Sequence, residues 1–155
     1  MTKVLFVCLG NICRSPMAEA IFQHMLEEKG LTNSIMCDSA GTGAYHIGNA
    51  PDPRTLEVLE KNDISTDQKA RQLEINDFET FDYILVMDKQ NLSNAKALQS
   101  KATPHAKAKL DLVLHYASEL NKDEVPDPYY GGMRGFDDVY DMLNVALHNF
   151  LSEVN

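Results

Sequence analysis

The stretch Val4-Leu5-Phe6-Val7-Cys8-Leu9-Gly10-Asn11-Ile12-Cys13-Arg14-Ser15-Pro16 decides the fold of this chain. Its first four residues form a short, continuous apolar run, which is typical of a strand buried on both faces of a sheet. A helical pattern follows from Pro16 to Lys29, with a proline near its start, apolar residues at helical spacing and Gly30 at its end. The stretch therefore predicts a strand, a loop and a helix in direct succession.

The alternation of strand and helix continues along the rest of the chain. Further strands are predicted at residues 34–38, 83–87 and 110–114. Helices are predicted from Asp52 to Lys61 and after Asp88, a residue placed to cap the first turn. A long final helix is predicted from an apolar face made of Phe136, Val139, Tyr140, Leu143, Leu147, Phe150 and Leu151.

This alternation indicates the α/β class. We predict a three-layer fold in which a four-stranded parallel sheet is flanked by helices on both faces. Ligands of such sheets bind at the carboxyl ends of the strands. The candidate site is therefore expected in the loops after Val7, Asp38 and Met87, together with the Asp127 loop that follows the fourth strand.

Length and charge restrict the class of protein. The chain has 155 residues, which is the size of one domain, and we predict a single domain over residues 1–155. The chain has a net charge of −9, and binding to nucleic acid or to an anionic membrane surface would require a basic stripe instead. No stretch approaches the ~18 apolar residues of a membrane span. We therefore expect no nucleic-acid or membrane partner, and a monomer as the default.

The cysteine content argues against an extracellular disulfide framework. Cys8, Cys13 and Cys37 are an odd set, and the apolar run at the N-terminus is interrupted before it reaches the length of a signal peptide. We therefore expect a cytoplasmic protein. Four residues separate Cys8 from Cys13, whereas zinc sites favour two, and the five histidines show no ligand spacing. Neither a metal nor another cofactor is expected.

The loop after the first strand has the features of an anion site. A helix N-terminus offers unpaired N–H donors and about half a positive charge. Gly10 and Asn11 are the residues best able to adopt the dihedral angles that turn successive N–H groups inward. Arg14 can clamp two phosphate oxygens with its planar guanidinium group. The predicted phosphate-binding residues are Leu9, Gly10, Asn11, Ile12, Cys13, Arg14 and Ser15.

Cys8 is the candidate nucleophile of this loop. Helix N-termini and cationic neighbours favour the thiolate form of a cysteine. A thiolate would attack phosphorus while the N–H groups and Arg14 stabilise the equatorial oxygens, and Ser15 could hydrogen-bond the thiolate when it leaves. A nucleotide-binding loop is the first alternative, although both common glycine-rich signatures are absent. A buried cysteine beside an incidental arginine is the second.

Asp127 is the candidate acid that protonates the leaving oxygen. It stands between Pro126 and Pro128, which restrict the backbone, and the following aromatic residues Tyr129 and Tyr130 could shield it and line a pocket. Taken alone, the segment is more typical of a surface turn, and it is the Cys8 loop that favours the acid. If Asp127 works protonated while Cys8 works ionised, activity should show a bell-shaped pH profile with an optimum on the acid side of neutrality.

These residues resemble the low-molecular-weight protein tyrosine phosphatases, and the match spans nearly the whole chain. The signature at residues 8–16 is supported by Asp38-Ser39-Ala40-Gly41-Thr42, Pro51-Asp52-Pro53-Arg54, Lys69-Ala70-Arg71-Gln72, residues 82–88 and Asp127-Pro128-Tyr129-Tyr130. The resemblance implies a four-stranded parallel sheet and a cysteinyl-phosphate intermediate formed without a metal. It also implies that Cys8 is the nucleophile, Arg14 the phosphate clamp and Asp127 the general acid and later base, acting on phosphotyrosine proteins and small aryl phosphates.

The resemblance also assigns supporting residues. It implies that Asn11 is held by Ser15 and Ser39, which keeps the loop preformed. Gln68 occupies a position where the family commonly has a histidine, and it can still hydrogen-bond without carrying charge.

Three tyrosines are candidates for the rim of the pocket. Tyr45 stands where the family often has a tryptophan, and with Tyr129 and Tyr130 it suggests an aromatic slot for a planar aryl phosphate. Each of the three is equally compatible with an ordinary half-exposed tyrosine.

Ile12 and the positions of the cysteines help to choose among the alternative activities of proteins with this fold. Relatives that resemble protein-arginine phosphatases usually carry a threonine at the position of Ile12, so we predict phosphotyrosine rather than phosphoarginine as substrate. Arsenate reductases of the same fold relay a disulfide through cysteines in their C-terminal half, and this chain has none after Cys37. A phosphotyrosine-binding module without catalysis is a third alternative, against which the joint presence of Cys8, Arg14 and Asp127 counts.

Cys13 has two interpretations. It is either a small buried apolar residue or the partner that captures oxidised Cys8 in a reversible disulfide, as the matching cysteine does in the family. A reactive thiolate beside a second thiol is the setting in which a sulfenic acid condenses instead of over-oxidising, so we favour the redox role. Cys37, on a predicted strand, is assigned to the core.

Overall fold

The computed structural model describes residues 1–155 and contains one parallel sheet. Its strands are β1 (Thr2–Cys8), β2 (Ile35–Gly41), β3 (Tyr83–Val86) and β4 (Lys109–Leu112), arranged in the order β2-β1-β3-β4. The segment Val4–Val7 is fully buried at the centre of the sheet, as its continuous apolar character predicts. The predicted four-stranded parallel sheet is confirmed.

Five α-helices accompany the sheet. They are α1 (Arg14–Glu28), α2 (Pro53–Lys61), α3 (Asp77–Thr80), α4 (Lys89–Gln99) and α5 (Met133–Val154). Two short 3-10 helices, Val113–Tyr116 and Ser118–Leu120, lie between β4 and α5. None of these helices is both long enough and apolar enough to cross a membrane.

The side chains of β1 point alternately to the two faces of the sheet and pack into two separate cores, which gives the three layers. Val4 and Phe6 join a cluster of 28 buried residues that includes α1 and α5, where Phe6 and Phe22 pack edge to face with ring centroids 5.6 Å apart. Leu5 and Val7 point to the opposite face and join a cluster of 10 buried residues that includes Phe78 of α3. Helices therefore cover both faces of the sheet, as predicted.

Several predicted boundaries differ from the structure. Helix α1 begins at Arg14, two residues before Pro16, and β2 extends beyond Asp38 because it stays paired with β1 as far as the Cys8–Gly41 pair. The fourth strand ends at Leu112 rather than at residue 114. Val113 and Leu114 are buried in a 3-10 turn that packs against α5, and a continuous apolar run does not distinguish a buried turn from a buried strand. Helix α3 was not predicted, since four residues are too few to show a period.

The strand order places the ligand site. The chain leaves β1 on one side for its neighbour β2 and returns on the other side to β3, so the connections diverge at the carboxyl end of β1. Crevices in α/β sheets form at such switch points. Two capping residues hold the adjoining helices, since Asp52 accepts a hydrogen bond from Arg54 N (2.8 Å) and Asp88 accepts one from Asn91 N (2.7 Å).

Candidate active site

A pocket of about 380 Å³ opens at the carboxyl end of β1. It brings together Cys8 at the end of β1, Arg14 at the start of α1 and Asp127 from the segment before α5. Three tyrosines from two separate parts of the chain also line it. Its lining residues are Cys8, Leu9, Gly10, Ile12, Cys13, Arg14, Tyr45, His46, Asp127, Tyr129 and Tyr130. The predicted acid, the three rim tyrosines and five of the seven predicted phosphate-loop residues therefore meet in one cavity, whereas Asn11 and Ser15 do not line it.

The backbone of the phosphate loop turns at Asn11. This residue has φ of 57°, in the left-handed region that asparagine tolerates better than most residues, as predicted. Gly10 does not have a positive φ, so the prediction of an unusual dihedral angle there is wrong. A Cβ atom at Gly10 would lie 2.9 Å from Cδ2 of His46, so a larger residue there would have to displace the histidine side chain.

The side chain of Asn11 organises the loop from behind. Its Nδ2 donates to Ser15 Oγ (2.7 Å) and to Ser39 Oγ (3.0 Å). Its Oδ1 accepts from Gln68 Nε2 (2.8 Å) and from the backbone N–H of Arg71 (3.0 Å). Asn11 is fully buried and uses both of its amide hydrogens, so its orientation is fixed by four partners. Ser39 and Gln68 thus contact the residue that the resemblance implies they support.

These contacts orient the hydroxyl of Ser15 toward the candidate nucleophile. Because Ser15 Oγ accepts a hydrogen from Asn11, its own hydrogen is available to Cys8 Sγ, 3.0 Å away. The backbone oxygen of Ala40, the other acceptor within reach, lies farther off at 3.4 Å. Cys8 is only 2% exposed, and the Ser15 hydroxyl is placed to donate a hydrogen bond to its sulfur.

Arg14 is buried and held by a carboxylate and a carbonyl group. Its Nη1 donates to Asp88 Oδ2 (2.7 Å) and to the backbone oxygen of Val125 (3.0 Å). Burial acts to lower the pKa of Arg14, but the nearby Cys8 and Asp88 outweigh it and hold this pKa above the usual value. The guanidinium group therefore keeps its charge and a fixed direction, with Nη2 3.9 Å from Asp127 Oδ2.

Asp127 stands at the mouth of the pocket. Its Oδ1 accepts a hydrogen bond from the backbone N–H of Tyr129 (3.0 Å), and its side chain is 42% exposed. Tyr129 and Tyr130 pack edge to face with centroids 5.0 Å apart, and Tyr130 is 94% exposed. The expected shielding of Asp127 by these rings is absent from the structure.

Burial favours the neutral thiol form of Cys13 and Cys37. Burial, together with the charge of Asp52, raises the pKa of Cys13 to about 12. Burial also raises the pKa of Cys37, whose thiol donates weakly to the backbone oxygen of Glu19 at 3.7 Å. Cys37 packs against the larger core, as predicted, and only Cys8 and Cys13 line the pocket.

Sequence reasoning missed several residues that build the site. His46 lines the pocket and packs over Gly10, and Asp88, predicted only as a helix cap, also binds Arg14. Arg71 reaches Asp77 at 3.0 Å and Asp38 at 3.1 Å, which fixes the backbone that donates to Asn11. Apart from the pair Arg71 and Asp77, these contacts join residues far apart in sequence, so no local pattern predicts them.

The comparisons with known proteins agree with this geometry. A family model for low molecular weight phosphotyrosine protein phosphatase matches residues 3–155. The chain is 51% identical over 158 aligned residues to the low molecular weight phosphotyrosine protein phosphatase of Schizosaccharomyces pombe, with 99% of each chain covered. This chain belongs to the low-molecular-weight phosphotyrosine protein phosphatase family.

Solved structures similar to this phosphatase share its whole fold. The crystal structure of YfkJ from Bacillus subtilis gives a TM-score of 0.90 at 41% identity and covers 99% of this chain and 94% of that chain. The crystal structure of DARP, the drosophila arginine phosphatase, gives a TM-score of 0.95 at 34% identity and covers 99% of this chain and 98% of that chain. The predicted family and fold are confirmed.

Proposed function

We propose that this phosphatase hydrolyses phosphotyrosine in proteins, and small aryl phosphates, through a cysteinyl-phosphate intermediate. The observation that carries the proposal is the position of Cys8 Sγ in the pocket, 3.0 Å from Ser15 Oγ, with Arg14 and Asp127 on the same cavity wall. A nucleophile, a fixed cation and a carboxyl group are the three groups that thiolate-based phosphoryl transfer needs.

In the first step the Cys8 thiolate attacks phosphorus. An S–P bond forms while the bond between phosphorus and the phenolic oxygen breaks. The N–H groups of residues 9–15 and the guanidinium group of Arg14 stabilise the equatorial oxygens of the phosphoryl group. Asp127 donates its proton to the leaving phenolate, so tyrosine departs as a neutral phenol.

In the second step water attacks the phosphorus atom of the intermediate. Asp127, now a carboxylate, accepts a proton from the water, and the S–P bond breaks to release phosphate. The sulfur regains its negative charge as it leaves. Ser15 supports this charge because Asn11 holds its hydroxyl hydrogen toward Cys8.

The walls of the pocket favour an aryl phosphate. Ile12 offers an apolar surface without a donor or acceptor for a guanidinium group, and Tyr45, Tyr129 and Tyr130 provide aromatic faces at the mouth. The likeness to an arginine phosphatase makes phosphoarginine the substrate to compare. We expect phosphotyrosine peptides to be hydrolysed with a higher kcat/KM than matched phosphoarginine peptides, and the reverse order would overturn this assignment.

The supporting roles complete the proposal. Ser39 and Gln68 keep Asn11, and through it the phosphate loop, in its working conformation. Cys13 forms a protective disulfide with oxidised Cys8. The chain acts as a single domain, residues 1–155, as a cytoplasmic monomer without metal or cofactor.

Turnover of an aryl phosphate by wild type, Cys8→Ser and Asp127→Asn tests the proposed chemistry. Cys8→Ser should be inert, because a serine hydroxyl is not ionised at neutral pH. Asp127→Asn should lose on the order of 10²–10⁴ in rate, which is the usual contribution of general acid–base catalysis. Equal hydrolysis by wild type and Cys8→Ser would refute the proposal. Phosphotyrosine binding by both without turnover would instead support the binding module.

A further inference from the structure

The start of helix α2 lies between the phosphate loop and the segment that carries Asp127. The backbone N–H of Asp52 donates to the backbone oxygen of Ile12 (2.7 Å), and Thr55 Oγ1 donates to the backbone oxygen of Cys13 (3.2 Å). This end of α2 is therefore fixed to the loop that surrounds the nucleophile.

Arg54 extends from this fixed point to the segment of residues 127–132. Its Nε and Nη2 donate to the two carboxylate oxygens of Asp52 at 3.0 and 2.9 Å. Its Nη1 donates to the backbone oxygen of Gly131 (3.0 Å). The guanidinium carbon lies 4.4 Å from the ring centroid of Phe136 and 5.5 Å from that of Tyr129. Bidentate pairing and stacking are the two contacts that a planar guanidinium group makes best.

The segment that carries Asp127 has few other attachments. Within it, Tyr129 N donates to Asp127 and Gly131 N donates to the oxygen of Pro128, so both bonds are local. The bond from Arg54 to Gly131 is the one hydrogen bond that joins residues 127–132 to a distant part of the chain. Before Asp127 the chain is held at Val125, which bonds to Met87 and Arg14, and after Asp127 it is held by Arg54, whose side chain does not touch the reacting atoms.

We propose that Arg54 is a positioning residue for the general acid, which sets where Asp127 stands relative to the Cys8 loop. The inference rests on the proposed function, since it assumes that Asp127 donates the proton. Asp52 anchors the guanidinium group, and Gly131 and Tyr129 are the points at which Arg54 holds the segment. Small displacements of a catalytic group cost large factors in rate, so a loosened segment should slow proton transfer without removing the acid.

A double-mutant cycle between Arg54 and Asp127 tests this role. Arg54→Met should lower kcat for phenyl phosphate by on the order of tenfold in the wild-type background. In the Asp127→Asn background the same substitution should change kcat by less than about twofold, because no acid remains to be positioned. Equal effects of Arg54→Met in both backgrounds would overturn the proposal.

Two further readouts separate positioning from a general structural role. The loss in kcat/KM caused by Arg54→Met should be larger for phenyl phosphate than for p-nitrophenyl phosphate, because the less acidic phenol needs the proton more. We compare kcat/KM because it reports the first step, whereas the second step is the same for both substrates. The inhibition constant of inorganic phosphate should stay within about twofold, because the phosphate loop is intact. Equal losses on both substrates, together with weaker phosphate inhibition, would assign Arg54 to loop packing and overturn the proposal.

Matched variants guard against misfolding and against failure of the proposed function. Lys61→Met removes another link between α2 and α5, the 2.8 Å contact with Asp137, and should leave both substrates unaffected. Arg54→Lys keeps the positive charge, but an ammonium group cannot bridge Asp52 and Gly131 and also stack on the aromatic rings. The double-mutant cycle with Arg54→Lys should therefore give the same changes in kcat as the cycle with Arg54→Met. Inactivity of Cys8→Ser tests the proposed function by itself, independently of the outcome of the cycle.

Discussion

At the scale of single residues, Glu19 is a partly buried carboxyl group joined to the support of the phosphate loop. Its Oε1 accepts from Ser39 Oγ (2.6 Å), and Ser39 accepts in turn from Asn11. Burial raises the pKa of Glu19 from 4.5 to about 7, with the charge of Asp38 acting in the same direction, while the Ser39 bond and Arg71 oppose the rise. The folded protein therefore binds this proton more tightly than the unfolded chain does.

Glu19→Gln should alter the pH dependence of stability. Ionising Glu19 in the folded state costs free energy, so its contribution is favourable below about pH 4.5 and is lost as the pH rises through about 7. Glutamine has no such cost and still accepts from Ser39. Relative to wild type, the variant should gain roughly 2–3 kcal/mol in free energy of unfolding between pH 4.5 and pH 8, measured by urea denaturation.

The exposed Glu27 on the same helix provides the control for this measurement. Glu27→Gln should show no comparable change with pH. A difference between Glu19→Gln and wild type that is the same at both pH values would contradict the buried-carboxyl account.

Cys13→Ala should lose recovery from oxidation. Peroxide converts the Cys8 thiolate to a sulfenic acid, and the Cys13 thiol then condenses with it, forming an S–S bond and releasing water. Without Cys13 the sulfenic acid stays open to further oxidation, so dithiothreitol should restore less activity after equal inactivation.

The high pKa of Cys13, about 12, leaves its thiol protonated, so the condensation should be slow. Recovery of wild type should therefore decline as the peroxide concentration rises. Cys37→Ala, which changes a cysteine outside the pocket, is the control and should recover like wild type. Identical recovery of Cys13→Ala and wild type would rule out the protective disulfide.

At the scale of elements, the end of β2 is packed tightly against the phosphate loop. Thr42 N donates to the backbone oxygen of Cys8 and Gly43 N to that of Leu9, both at 2.9 Å. A Cβ atom on Gly41 would lie 2.6 Å from the oxygen of Leu9 and 3.1 Å from the nitrogen of Asn11. Both atoms belong to the backbone, so the loop itself would have to move.

Gly41→Ala should therefore damage the site through the loop. We expect weaker inhibition by inorganic phosphate, a kcat/KM for aryl phosphate at least about tenfold lower, and a loss of about 1–3 kcal/mol in stability. Gly132→Ala is the matched control, because no atom lies within 4 Å of its added Cβ and its φ is −90°. Unchanged phosphate inhibition in Gly41→Ala would show that the contact with β2 does not shape the loop.

Elements with a strong local signal were predictable from the sequence. The run Val4–Val7 was correctly predicted to be a buried strand, and the Asp52 and Asp88 caps begin their helices where predicted. The end of β4 was not predictable, since Val113 is as apolar in a 3-10 turn as it would be in a strand. The tight space at Gly10 was not predictable either, because the nearby side chain, His46, comes from another loop.

At the scale of the whole molecule, the net charge of −9 coexists with a site for a phosphate dianion. Arg14 and the N–H groups at the start of α1 supply positive potential only at short range, and Asp88 fixes that arginine in place. The resemblance to a family identified Cys8, Arg14 and Asp127 from the sequence. The contacts of Asp88 with Arg14, of Arg54 with Gly131 and of Arg71 with Asp38 required the folded chain, because each joins residues that are far apart in sequence.

The central claim is that phosphate passes through a covalent bond to Cys8. Asp127→Ala should form the intermediate from p-nitrophenyl phosphate, whose leaving group needs little protonation, but hydrolyse it slowly for lack of a base. Rapid quenching followed by mass spectrometry of the peptides should find the mass of one phosphoryl group on Cys8. Turnover with no phosphorylated Cys8, or with the phosphoryl group on another residue, would contradict the account.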